Sequence, residues 1–435
     1  WDKALSFAPD ILVDALLGTG FHGALREKEA VLVERMNALG CRLVLAVDVP
    51  SGLDARTGRP CPDAVRAHAT VTFHAAKPGL VVPWAETFTG EVDVRPIGIP
   101  RAVDAEKALS FRTWLIPGQR EQDGGAPYTL EHGISPRMAG LLAHAADASP
   151  RGPAHKGDAG RVMIAGGCAA YTGAPCLAAW AALRSGAGLV TVTGPDPVLD
   201  IARSTMPAVV TRPLSSAPAH DWMAEHAAAL AGAAKTCGAL VFGPGLGRSE
   251  GAAACMEALL GIPGLPPMVI DADALFALAV RPELLSLLRP CDVLTPHPGE
   301  AAALLGISAR EVQENRFAAL EALAGRGRAV WVLKGEGTLI AVPGEPSVIS
   351  PWQVPQLAVA GSGDVLAGII GALLAKGACA GMAATRGVWL HALAGMALSR
   401  EFPLRGNGPL DIANALPRVM HQAGEPGKED ICALF

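Results

Sequence analysis

Two short apolar runs near the start of the chain each end in an acidic residue: Ile11-Leu12-Val13-Asp14 and Leu43-Val44-Leu45-Ala46-Val47-Asp48. A helix-like stretch, Glu27 to Leu39, lies between them. Strand, helix, strand at this spacing predicts a βαβ unit with a parallel sheet. Ala69–Phe73 and Glu91–Val94 are further strand candidates, and this first domain is expected to close near Pro100. Residues 101–153 read as a connector, because Gly124-Gly125, Ser149-Pro150 and Gly152-Pro153 break the pattern around a helix-like Pro136–Ala146.

From residue 154 to 435 a second domain is expected. Short apolar strands there alternate with helical segments. The strands are Arg161–Ala165, Leu189–Val192, Ala239–Phe242, Met268–Ile270, Val293–Thr295 and Ala329–Leu333. The helices are Pro175–Ser185, Ala224–Ala234, Ala252–Leu260, Pro298–Leu305 and Ala309–Leu323. This is a doubly wound α/β pattern, with no internal repeat and no heptad.

Composition changes this picture little. A length of 435 residues fits two or three domains. Half the residues are hydrophobic but only 5% are aromatic, so the cores rest on Ala, Val and Leu. The 50 glycines and 35 prolines are dispersed among apolar segments, which indicates tight turns rather than disorder. A net charge of −5 without a block of one sign gives no reason to expect a nucleic-acid or membrane partner. Nine scattered cysteines without a CxxC pair read as reduced thiols of a cytoplasmic protein. No signal peptide is visible, and the longest apolar run, Val365 to Ala375, is too short to span a bilayer. The sequence opens on Trp1 and enters a strand almost at once, so it is expected to start inside a domain. A homo-oligomer is also expected.

The strongest chemical signal is Ala360-Gly361-Ser362-Gly363-Asp364-Val365-Leu366-Ala367-Gly368. A glycine turn runs straight into an apolar helix whose first N–H groups point outward. Gly361, Ser362 and Gly363 thus form a candidate anion hole for phosphate. Asp364, in the first turn, is placed either to cap the helix or to take a proton from a hydroxyl that attacks phosphorus. Four companion loops follow strands: Gly243-Pro244-Gly245-Leu246-Gly247, Asp271-Ala272-Asp273-Ala274-Leu275, Thr295-Pro296-His297-Pro298-Gly299-Glu300, and Lys334-Gly335-Glu336-Gly337-Thr338. Ligands of open α/β sheets bind outside the carboxyl ends of strands. Taken singly, His297 also fits a satisfied loop histidine, Asp271 and Asp273 fit helix caps, and Lys334 is ambiguous.

Residues 155–435 resemble the ADP/ATP-dependent NAD(P)H-hydrate dehydratases, a ribokinase-like family. The resemblance rests on His155-Lys156-Gly157-Asp158-Ala159-Gly160-Arg161, Tyr171-Thr172-Gly173-Ala174-Pro175, Ala181 through Val190, the four loops and Gly361–Gly368. It implies substrate contacts from Ala174, Gly245, His297 and Asp364, with Asp364 catalytic. It places the adenine nucleotide, ADP or ATP with Mg2+, against Lys334, Gly335, Glu336, Gly337, Thr338 and Gly363. Ser362 stands where many members have Thr, and Val354-Pro355-Gln356-Leu357 where many have Asn-Pro-Gly. The first hundred residues resemble the carboxyl half of the NAD(P)H-hydrate epimerases, a Rossmann-like α/β fold. The match runs through Val13–Gly20, Asp48-Val49-Pro50-Ser51-Gly52-Leu53-Asp54, Thr70–Phe73 and Lys77–Leu80. It implies K+ held by Asp14 and Ser51. It also implies substrate contacts from Gly18, Thr19, Gly20, Phe21, His22, Gly23, Ala24 and Asp48, with Asp48 near the proton exchange. Without the family match, Asp14 and Asp48 read as strand-end caps. The Asn- and Gly-rich loop of the family's amino-terminal half is absent, so an incomplete epimerase is expected. The expected function is ADP-dependent dehydration of (S)-NAD(P)H-hydrate, the R and S hydrates being interconverted by a complete epimerase. A small-molecule kinase of the same fold and a non-enzymatic dinucleotide sensor are the alternatives.

Overall fold

The computed structural model describes residues 9–98, 114–115, 159–345, 347–403 and 406–423. The helix expected at Pro136–Ala146 and the motif residues His155 to Asp158 lie outside them.

Residues 9–98 build a four-stranded parallel sheet in sequential order: β1 (Ile11–Asp14), β2 (Leu43–Val47), β3 (Ala69–Phe73) and β4 (Glu91–Arg95). The helix α1 (Glu27–Ala38) carries Glu27 and Glu29 in its first turn, where the dipole favours anions. It buries Val33 and Met36 in a core with Leu25, Val44, Ala46, Val65 and Ala67. Parallel strands bring their carboxyl ends to one edge, and Asp14 and Asp48 stand there.

Residues 159–423 surround the larger sheet. Its strands include β5 (Arg161–Ala165), β6 (Leu189–Gly194), β7 (Val210–Pro213), β8 (Ala239–Phe242), β9 (Met268–Ile270), β10 (Val293–Leu294), β11 (Val330–Leu333) and β12 (Leu339–Ala341). They neighbour one another in the order β12-β11-β10-β9-β8-β5-β6-β7. All these pairs are parallel except β11–β12. The order reverses beside β5, since β6 and β7 lie on one side of it and β8 to β11 on the other. Such a switch point opens a crevice at the carboxyl ends of the strands.

Three helices shape that crevice: α2 (Ala174–Arg184), α3 (Pro298–Leu305) and α4 (Ser362–Ala375). α4 is apolar all round and buried from Val365 to Leu374, as a helix inside a core must be. Gly368 permits its close approach to α2, because a Cβ there would overlap the Ala178 carbonyl. The helix expected over Ala309–Leu323 is two helices, Ala309–Glu314 and Arg316–Ala324. Asn315 separates them at φ −141°, and its side chain caps the second by accepting a bond from the Ala318 amide at 3.1 Å. The pattern also missed helices at Asp196–Thr205, Asp273–Val280, α5 (Ala380–Ala397) and Pro409–Ala423. Among the described residues no helix is long and apolar enough to cross a membrane, and the eight described cysteines are free thiols.

Candidate active site

The loops after β8, β9, β10 and β11 and the start of α4 converge at the switch point. Gly245 is buried, and a Cβ on it would stand 2.8 Å from Tyr171 Cβ and 3.0 Å from Ala174 Cβ. Only glycine lets these chains meet, so Gly245 and Ala174 are brought together as expected, with the Tyr171 ring 59% exposed beside them.

Lys334 is the hub. Its ammonium donates to Asp271 Oδ1 at 2.7 Å and lies 3.8 Å from Glu300 Oε2. A Cβ on Gly363 would stand 3.2 Å from Lys334 Nζ, so this cation sits against the amino terminus of α4. Asp271 is buried and also accepts the Thr295 hydroxyl at 2.7 Å. Burial works against the Lys334 charge, but Asp271, Glu300 and Asp364 outweigh it and raise the ammonium pKa. Burial, with repulsion from Asp271, pushes Asp364 up to about 7 against the pull of Lys334. Glu300 is raised by burial too. A carboxyl group tuned close to neutrality is suited to proton transfer.

The expected anion hole is corrected at Ser362. Its amide donates to the Val359 carbonyl at 3.2 Å, and its hydroxyl meets the buried His391 Nε2 at 3.1 Å. The amides of Gly363 and Asp364 have no acceptor among the described residues, so they are the open donors at this helix start. Gly361 turns the chain into α4 in the left-handed conformation, at φ 88°. Burial, with Lys334 nearby, holds His391 down at about 4, so it is neutral.

His297 proves to be the N-cap of α3. Its Nδ1 accepts from the amides of Gly299 (2.9 Å) and Glu300 (3.3 Å), while Glu300 Oε2 accepts from the His297 amide at 2.7 Å. With Nδ1 accepting, the ring hydrogen sits on Nε2. Nε2 lies 3.4 Å from Glu300 Oε1, and the side chain is 54% exposed at the site. The loop Lys334–Thr338 is pinned from behind by the buried Arg316, which donates to the carbonyls of Leu333 (3.0 Å), Lys334 (3.1 Å) and Gly337 (3.4 Å). Gly335 and Glu336 are exposed, and the Thr338 hydroxyl donates to the Gly335 carbonyl at 2.9 Å.

In the smaller sheet, Asp14 is fully buried and accepts the Ser51 amide at 2.7 Å and its hydroxyl at 2.6 Å. Burial raises its pKa. Asp48 stands at φ 69°, a conformation costly for a residue with a Cβ. It accepts from the Thr19 amide (3.3 Å), the Thr72 hydroxyl (3.2 Å) and Lys77 Nζ (2.6 Å). Burial pushes Asp48 up, but the Lys77 ammonium and these hydrogen bonds outweigh it and leave the carboxyl below its usual range. Gly18 lies against Asp48, Phe21 donates to the Gly18 carbonyl at 3.0 Å, and Gly20, His22, Gly23 and Ala24 are exposed.

A family model described as NAD(P)H-hydrate dehydratase matches residues 162–418, and one described as the YjeF-related protein N-terminus matches residues 1–79. The chain is 38% identical over 424 residues to the bifunctional NAD(P)H-hydrate repair enzyme Nnr of Moorella thermoacetica, covering 98% of this chain and 75% of that one. The chain belongs to the bifunctional NAD(P)H-hydrate repair enzymes. The Escherichia coli member is 34% identical over 412 residues, covering 95% of this chain and 72% of its own. A ribokinase-like superfamily protein from Enterococcus faecalis superposes with a TM-score of 0.56 at 25% identity, covering 66% of this chain and 95% of that one. The Bacillus subtilis ADP/ATP-dependent NAD(P)H-hydrate dehydratase, co-crystallized with ATP/Mg2+, gives 0.53 at 24% identity, covering 65% and 97%. The ribokinase-like fold and the dehydratase activity expected from the sequence are thereby established. The expected incompleteness of the epimerase finds no support, because the relatives are bifunctional and the N-terminal family model is present.

Three groups of this repair enzyme have partners that the sequence does not specify. Asp271, whose place in the sequence fits a helix cap as well as a ligand loop, is the buried partner of Lys334. Lys77 was quoted within a motif without a role. His391 carries no sequence signal, since its contact with Ser362 is made across 29 residues of chain.

Proposed function

We propose that the larger domain dehydrates (S)-NAD(P)H-hydrate at the expense of ADP, with Asp364 as the general base. The observation that carries this reading is the meeting of Asp364, tuned to about 7, with Lys334 and two open amides at the start of α4. Water added to the nicotinamide ring leaves a hydroxyl that departs poorly. Asp364 takes the proton of that hydroxyl, and its oxygen attacks the terminal phosphorus of ADP. AMP leaves, with Lys334 and the Gly363 and Asp364 amides stabilising the charge that builds on the transferring group. Loss of inorganic phosphate and a ring proton then restores the dihydropyridine. Ala174, Gly245 and His297 hold the hydrated ring. The nucleotide lies along Lys334–Thr338.

Mg2+ fits this site. Mg2+ is commonly held by one or two carboxylates together with phosphates and water, and the Glu300 and Asp271 carboxylates stand together beside Lys334. Glu300, with Asp271, would hold it, and when bound it supplies charge neutralisation on the nucleotide.

In the smaller domain, Asp48 and Lys77 serve the proton exchange that interconverts the R and S hydrates. A K+ ion fits Asp14 and Ser51, because the buried Asp14 carboxylate has oxygen neighbours but no cationic partner among the described residues.

Mixing the enzyme with hydrated NADH, with and without ADP, tests the reading. Return of the reduced-nicotinamide absorbance only with ADP is expected. A phosphorylated product without that absorbance would make the protein a kinase.

A further inference from the structure

The hydrated dinucleotide carries a pyrophosphate one ribose away from its reacting ring, and none of the groups above receives it. Arg248 stands three residues beyond Gly245 on the same loop. Its Nε donates to Asp273 Oδ1 at 3.0 Å, and its guanidinium carbon lies 4.5 Å from the centre of the Phe276 ring. The other oxygen of Asp273 accepts the Gly247 amide at 3.0 Å, so one carboxylate fixes both the loop and the guanidinium.

We infer that Arg248 grips the pyrophosphate of the hydrated dinucleotide and sets the enzyme's affinity for it. The inference rests on the dehydratase reading above. Both terminal NH2 groups of Arg248 lack a partner among the described residues, and the side chain is 61% exposed. A planar fork already held at one edge and one face, with its other edge open, is preorganised for bidentate phosphate binding. The position suits the substrate. The Arg248 loop packs against Tyr171 and Ala174 at Gly245, and its carboxylate partner Asp273 lies two residues beyond Asp271, the partner of Lys334. Lys334, the other cation of the site, is committed to Asp271, Glu300 and the start of α4, where the co-substrate phosphate is transferred. Two cations thus serve two different phosphates. Lysine would not replace Arg248, because an ammonium neither stacks on Phe276 in a plane nor offers a fork.

The KM values for hydrated NADH and for ADP, measured in wild type, Arg248→Gln and Arg248→Lys at low and high ionic strength, test this. A charge-assisted bidentate contact at a partly exposed site leads to a rise of about tenfold in the KM for hydrated NADH in R248Q. The KM for ADP and kcat should stay within about twofold, with R248K recovering only part of the loss. Salt should raise the wild-type KM for hydrated NADH and leave that of R248Q nearly flat, since screening acts on the charge that was removed. An equal or larger rise in the KM for ADP would assign Arg248 to the nucleotide phosphates and overturn the inference. No change in either constant would reduce Arg248 to a brace for Asp273, while the dehydratase reading would stand. A wild-type enzyme that restores no NADH would overturn that reading, and this inference with it.

Discussion

Lys334 Nζ lies 2.7 Å from Asp271 Oδ1, and this pair joins the loop after β11 to the loop after β9 beneath the amino terminus of α4. The carboxylate is buried and the ammonium only partly exposed, so neither charge is easily left alone.

Lys334→Ala is therefore expected to act twice. It removes the cation at the transferring phosphate, so the KM for nucleotide should rise more than the KM for hydrated NADH. It also leaves Asp271 buried with its charge uncompensated, at a cost of about 2–4 kcal/mol, which denaturant melts would detect. An equal rise in both KM values would place the nucleotide elsewhere.

Asp364→Asn removes the base and keeps its shape. Turnover should drop by about 10²–10⁴, with nucleotide affinity nearly unchanged by calorimetry. Near-wild-type turnover in D364N would make Asp364 a helix cap.

The pH profile follows from the same residue. Asp364 must be ionised to act, and its pKa is about 7, so kcat/KM should fall as pH drops below neutrality and level off above it. Stability runs the other way. The folded-state pKa lies above the unfolded value of 3.8, so the favourable contribution is complete below 3.8 and is lost as pH rises through about 7. Melting temperatures of wild type and D364N should accordingly diverge in favour of the variant over that window. Parallel curves would mean that Asp364 is not strained by its surroundings.

In the smaller domain Asp48→Ala leaves Lys77 without its carboxylate. From a mixed pool of epimers, D48A should keep the fast recovery of NADH and lose the later recovery that epimerisation feeds. A time course identical to wild type would remove Asp48 from the proton exchange.

Much of this architecture is legible in the chain. The runs at Ala239–Phe242 and Met268–Ile270 are buried parallel strands, which read as unbroken apolar stretches, and Arg161–Ala165 does so after its exposed first residue. The loops after them are conspicuous because glycine and charge interrupt those stretches at one sheet edge. α5 was not legible, because a helix buried on most of its faces shows no polar stripe to set its period. Nor was the pairing of Asp271 with Lys334, which closes across 63 residues and depends on strand order. The Ser362 amide departs from the expected anion hole for a local reason: its bond to the Val359 carbonyl belongs to the turn that starts α4, and spacing alone does not reveal it.

The most direct measurement is the stoichiometry of one reaction mixture: hydrated (S)-NADH, ADP, Mg2+ and the enzyme, followed for NADH, AMP and inorganic phosphate together. If dehydration proceeds through a phosphorylated hydroxyl, the three products should appear in equal amounts, and D364N should produce none of them at a comparable rate. Phosphate retained on the nicotinamide product, or NADH restored without AMP, would contradict it.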